Sequence, residues 1–156
     1  MFGRQFPIME TLLPLNIPGR LSMNQAEERR RWDTTHELYH AADAALKQRR
    51  YSACVGLAYY ACFQAMWVAL GDPPVGEWRH GGITRRFCYG QWASPPIIPT
   101  NLAVLHKRLL ALYELRLDAH YRAQPVHHQQ ARQALQTVGD VIRLVQRHKW
   151  HRMEEE

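Results

Sequence analysis

The sequence predicts an all-α protein, a four- to five-helix up-and-down bundle, on three observations. Apolar residues recur three and four positions apart through four long segments, the period of a helix that buries one face. No run alternates convincingly with the two-residue period of a strand. Proline and glycine clusters, "GDPP" at 71–74 and "ASPPIIP" at 93–99, fall where helices have to stop. A chain of 156 residues, 46% of them hydrophobic, is long enough to bury one core. The expected organisation is an N-terminal arm at 1–22, a bundle at 23–149 and a C-terminal tail at 150–156.

The arm carries Pro7, Pro14 and Pro18 and no sustained period, which fits an extended segment. Asn24 is a plausible N-cap for a first helix running to about Gln48, with Trp32, Leu38, Ala41, Ala42, Ala45 and Leu46 facing inward. The second helix, "YSACVGLAYYACFQAMWVAL", is apolar nearly all round and is therefore expected at the centre. Cys54, Ala58, Ala61 and Ala65 draw a stripe of small side chains along it, which lets another helix come close. Tyr59, Tyr60, Phe63 and Trp67 add aromatic area elsewhere, and the tyrosine hydroxyls need partners if buried. Gly71 and the prolines after it end this helix.

Gly81, Gly82 and Gly90 dilute the next segment, where a short third helix is expected around 82–89. Thr100 or Asn101 then caps a fourth helix in which Leu102, Leu105, Leu109 and Leu112 mark the buried face. Pro125 opens a fifth, with Ala131, Leu135, Val138, Ile142 and Val145 inside.

Twenty Lys and Arg against 14 Asp and Glu give a formal net charge of +6. That balance favours an anionic partner such as RNA, although the pairs Arg49 with Arg50 and Arg85 with Arg86 also fit solvated helix faces. The three cysteines form no CxxC pair, and Cys54 and Cys62 fit small core residues, as expected of a reducing, cytoplasmic setting. The first twenty residues lack the basic start and unbroken apolar run of a signal peptide, and no stretch is expected to approach a membrane span.

Three constellations carry candidate chemistry. "HELYH" at 36–40 matches the zinc-hydrolase signature, in which His36 and His40 would share a metal and Glu37 would polarise a water. A catalytic zinc needs a third protein ligand, and the next acidic residues, Asp43 and then Asp72, suggest none; an amphipathic helix explains the match as well. His127, His128, His148 and His151 repeat no ligand spacing. No phosphate-binding glycine loop or serine nucleophile elbow occurs, and no cofactor is expected.

The third constellation lies in "LYELRLDAHYRAQP" at 112–125. Counting four on from Leu112 reaches Arg116, and four more reaches His120, so both continue the stripe of the buried leucines while Lys107, Glu114 and Asp118 fall outside it. A guanidinium aimed along a core needs a carboxylate, a phosphate or an interface. One reading pairs Arg116 with Asp43 or Asp118 and leaves His120 to close the bundle end. The other makes the pair a site for metal-free RNA cleavage, in which a ribose 2′-hydroxyl attacks phosphorus with histidine moving the proton.

The ordered set "AADAALKQRRYSACVGLAYYACFQAMWVAL", "RHGGITRRF", "LLALYELRLDAHY" and "ARQALQTVGDVI", spanning about 38–146, resembles the HEPN superfamily, small all-α domains of prokaryotic toxin–antitoxin and defence systems. The resemblance implies a homodimer whose two copies build one cleft, with Arg116 binding phosphate and His120 carrying protons in a metal-independent endoribonuclease. Tyr121, Arg122, Arg79 and His80 are the residues expected to support that site or bind RNA. Only Leu117, Asp118 and Ala119 separate Arg116 from His120, a shorter spacer than in the family's arginine–histidine motif. Many relatives carry instead an Arg-x-x-Ala-Asp-Tyr run, which Arg116, Ala119 and Tyr121 match with His120 in place of its aspartate. The alternative implied by the resemblance is a non-catalytic module that docks a nucleotidyltransferase antitoxin.

Overall fold

The computed structural model describes residues 23–149, so the expected arm and tail lie outside the described residues. Five helices follow in order: α1 (Gln25–Lys47), α2 (Tyr51–Leu70), α3 (His80–Cys88), α4 (Ala103–His120) and α5 (His128–Lys149). A short 3-10 turn, Pro99–Leu102, leads into α4. The described residues contain no strand, and the chain is an all-α helical bundle.

Asn24 caps α1 as expected, its Oδ1 accepting from the backbone N–H of Glu27 at 2.8 Å. Glu27 and Glu28 lie in the first turn and Lys47 in the last, each sign placed against the helix dipole. The chain leaves α1 through Arg49, whose φ of 60° is left-handed, and this geometry lets Arg49 N and Arg50 N return to Leu46 O and Ala45 O at 3.0 and 2.8 Å. Trp32, Thr35, Ala42 and Ala45 are buried and Leu38 and Leu46 pack at the margin. Ala41, expected inside, is exposed; one residue turns a helix by about 100°, so burying Ala42 carries its neighbour outward.

Helix α2 touches each of the other four helices. All four members of its small stripe, Cys54, Ala58, Ala61 and Ala65, are 0% exposed. The Cys54 thiol reaches Ala131 O of α5 at 3.7 Å, a measure of how close the small face lets that helix approach. All three cysteines are buried and unpaired, and burial pushes the Cys54 and Cys88 thiols up to about 11. Centrality also corrects the expectation about membrane spans: α2 is long and apolar enough to cross one, with 61% of that window buried inside the bundle. It is apolar on most faces because neighbours cover most faces. Gly71, at φ 74°, ends the helix where the sequence placed the stop.

Helix α3 begins two residues earlier than expected, at His80, and ends at Cys88. Gly90 follows at φ 72°, and a Cβ there would stand 2.2 Å from Ile97 O, so the α3–α4 loop folds back on a position only glycine fits. Thr100 and Asn101, expected as caps of α4, lie within the 3-10 turn, and Leu102 occupies the cap with no side-chain bond. The leucine stripe itself is as expected: Leu102, Leu109 and Leu112 are buried and Leu105 is half-buried. Helix α5 starts at His128, three residues beyond the expected Pro125. Val126 tucks under the bundle first, and Gln130 Oε1 then accepts from His127 N at 2.9 Å. Of the expected inner face of α5, Ala131, Val138, Ile142 and Val145 are buried and Leu135 is half-buried.

Candidate phosphate-binding site at the α2–α4 contact

Helices α2 and α4 run antiparallel, as the ladder of side-chain contacts records: His120 meets Ser52, Arg116 meets Tyr60, and Tyr113 meets Tyr59. The partners advance from Ser52 to Tyr59 and Tyr60 along α2 as they step back from His120 to Tyr113 along α4. Arg116 and His120 therefore both face α2, the side the leucine stripe pointed to, yet they end in different surroundings.

Arg116 is 6% exposed. Its Nη2 donates to Tyr60 Oη at 2.6 Å, and its Cζ lies 4.8 Å from the centroids of both Tyr59 and Tyr60 and 5.5 Å from Tyr121. Cation–π contact with three rings offsets part of the cost of burying the charge. No carboxylate reaches it among the described residues. The expected pairings with Asp43 or Asp118 do not form, because each acid is bound to a cation four residues on in the chain: Asp43 bonds Lys47 at 2.7 Å and Asp118 bonds Arg122, just past the end of α4, at 2.8 Å. Arg116 Nε is buried with no hydrogen-bond partner, the one such side-chain atom among the described residues.

His120 is exposed, which corrects the expectation that it continues the buried stripe. Its position at the last residue of α4 puts the ring over the end of α2 and not inside the core. Nε2 lies 2.9 Å from Ser52 O, and a carbonyl only accepts, so Nε2 carries a hydrogen and the neutral tautomer this bond selects has its lone pair at Nδ1. Gly56 makes room for this: a Cβ at that position would stand 2.7 Å from His120 Cε1 and Nε2.

His80 is the histidine whose charge state Arg116 influences. The half-buried ring stacks on Tyr113 at 5.1 Å between centroids, contacts Tyr59 and Phe63 at 5.4 Å each, and bonds Tyr59 Oη through Nδ1. Burial, and then the Arg116 charge, hold its pKa below the ordinary value, so the neutral imidazole is favoured. Burial pushes the Tyr59 phenol upward, which keeps it protonated.

The remaining expected residues divide. Tyr121 is 71% exposed and flanks Arg116. Arg122 is engaged with Asp118 and Glu114. Arg79 is exposed at the N-cap of α3, beside His80. His36 and His40 lie 6.5 Å apart on α1, away from this contact, and no third His, Cys, Asp or Glu gathers with them among the described residues. Tyr59, Tyr60, Tyr113, Ser52 and Gly56 were not expected in the site. The tyrosine pair's need for partners was the one signal available for the first two, and a lone glycine inside the helix was the signal for Gly56.

The same end of the bundle gathers basic groups. Tyr51 packs on His128 at 5.5 Å, bringing the start of α5 beside the α1–α2 turn that carries Arg49 and Arg50. Neither arginine forms an ion pair among the described residues, whereas Asp43, Glu114 and Asp118 are already bound to cations. What fold and site define is a helical bundle with a tyrosine-walled arginine that meets no carboxylate among the described residues, near a basic end. No protein-family model matches the chain, and no curated protein matches it significantly.

Proposed function

We propose that this chain is a HEPN-like RNA-binding domain of a toxin–antitoxin or defence system, acting as a homodimer and cutting RNA without a metal. The observation that carries the proposal is the Arg116 guanidinium, 6% exposed, held by tyrosines and with no carboxylate against it among the described residues. A phosphodiester supplies the missing negative charge and acceptors that match the arginine fork. Arg49 and Arg50, which form no ion pair among the described residues, add a longer-range attraction for the backbone.

In this reading His120 is the proton carrier. Its Nε2–H is committed to Ser52 O, so Nδ1 accepts the proton of the ribose 2′-hydroxyl as O2′ bonds to phosphorus. The P–O5′ bond breaks, and the leaving oxygen takes a proton from water or from the matching imidazole of the second copy. The products are a 2′,3′-cyclic phosphate and a 5′-hydroxyl, with Arg116 balancing charge on the phosphoryl oxygens.

The test is incubation of unstructured RNA with EDTA-treated wild type, His120→Ala and Arg116→Ala. Cleavage by wild type alone, with cyclic-phosphate ends, is the expected result; equal and negligible cleavage by all three removes the nuclease reading. A second reading is favoured by the tyrosine cage itself, which satisfies part of Arg116 internally: a non-catalytic module that docks a nucleotidyltransferase. It predicts RNA binding that is insensitive to Arg116→Ala.

A further inference from the structure

The phosphate-binding reading rests on Arg116, and His80 lies against the same Tyr59 ring. The centroid of His80 is 5.4 Å from that of Tyr59, and Arg116 Cζ is 4.8 Å from it. Tyr59 is 5% exposed, and among the described residues its hydroxyl has one partner, His80 Nδ1. A phenol has one proton to give. If Nδ1 carried the hydrogen, the phenol proton would be buried with no acceptor; if Tyr59 donates, both groups are satisfied. The bond thus fixes the imidazole with its lone pair at Nδ1 and its hydrogen at Nε2.

His80 is also the first residue of α3, a nine-residue helix with no side-chain cap and no acidic residue in its first turn. Its opening backbone N–H groups add positive potential where the ring stands. Gly81 and Gly82, which follow, meet nothing within 4 Å of where a Cβ would be, so the approach to this terminus is open. A buried cation without a carboxylate, an uncapped helix start and an imidazole held as a donor all call for the same kind of ligand.

We propose that His80 is a second phosphate-contacting residue of the Arg116 site, offering Nε2–H as a neutral donor to a phosphodiester oxygen, with Tyr59 as the positioning residue that fixes its tautomer. The proposal depends on the RNA reading above and adds a residue outside the Arg116/His120 pair. His80 faces Tyr59 and Phe63 on α2 and Tyr113 and Arg116 on α4, and none of these groups is an acid that would compete for its hydrogen.

Two measurements test it. Imidazole nitrogen NMR of the free, isotope-labelled protein at neutral pH is expected to place the His80 proton on Nε2, and Tyr59→Phe is expected to release that preference; a proton on Nδ1 in wild type overturns the proposal. Binding of a short unstructured oligoribonucleotide is then compared among wild type, His80→Ala, His80→Gln and Arg116→Ala. Glutamine places an amide N–H close to where Nε2–H stands, so His80→Gln is expected within about twofold of wild type while His80→Ala weakens binding about tenfold. Equal affinity of His80→Ala and wild type overturns the proposal, as does a glutamine variant as weak as alanine. Wild type that binds no RNA, or binding unchanged by Arg116→Ala, sinks the parent reading; loss with Arg116→Ala alone sinks only the role of His80.

Discussion

Gly56→Ala separates the position of His120 from the stability of the fold. The new Cβ would stand 2.7 Å from Cε1 and Nε2 of His120. Ordinary carbon contacts begin near 3.5 Å, so the ring must retreat by roughly 1 Å. The bond from Nε2 to Ser52 O starts at 2.9 Å, and that retreat carries it out of hydrogen-bond range. The backbone gains while the ring loses. Alanine in a helix interior is favoured over glycine by about 0.5–1 kcal/mol, and the lost bond costs about 0.5–1.5 kcal/mol, so the net change stays within about 1 kcal/mol. Thermal melting is therefore expected to move by only a few degrees. Imidazole NMR should show His120 passing from a fixed Nε2–H tautomer to an averaged one, and RNA cleavage should fall at least about tenfold. Unchanged His120 signals together with unchanged cleavage would refute the reasoning, because they would mean that Gly56 does not set where the imidazole sits.

Three further outcomes are expected. Arg116→Met replaces a buried charge with an apolar chain of similar length, so stability in denaturant should hold or rise by about 1–3 kcal/mol while RNA affinity drops by tenfold or more; a large loss of stability would mark the guanidinium as structural. Arg49→Gly relieves the left-handed backbone at φ 60° and should raise stability by about 0.5–1 kcal/mol in urea unfolding. His80 has a folded pKa below its ordinary value near 6.5, through burial and then the Arg116 charge. The unfolded chain then binds the proton more readily, so stability is full above about pH 6.5 and declines as pH falls from there toward the folded pKa. Melting followed from about pH 8 to about pH 5 should show this slope reduced by His80→Gln, which does not titrate, and an identical slope in both proteins would contradict it.

A long apolar run made the α2 segment legible, and periodicity made α4 legible, because a helix that buries one face must repeat near 3.6 residues whatever it packs against. It also placed Arg116 on the inward side of α4, since that required only counting from Leu112. The same counting misplaced His120, which shares the face but lies at the last residue of the helix, where core gives way to solvent. Boundaries set by loops were harder. Pro125 is a good first residue for a helix, but Val126 is drawn under the bundle and α5 waits until His128.

By itself, the sequence determined the helical class, the central place of α2, the small-residue stripe and the direction of Arg116, all of which follow from local spacing along one helix. Only the tertiary structure decided that Tyr60 receives Arg116, that Tyr59 holds His80, and that Gly56 clears space for His120. Those contacts join residues tens of positions apart. The partners of Arg116 and His120 are chosen by the antiparallel register of α2 against α4, and that of His80 by the packing of α3 on α2, outcomes that no local period encodes.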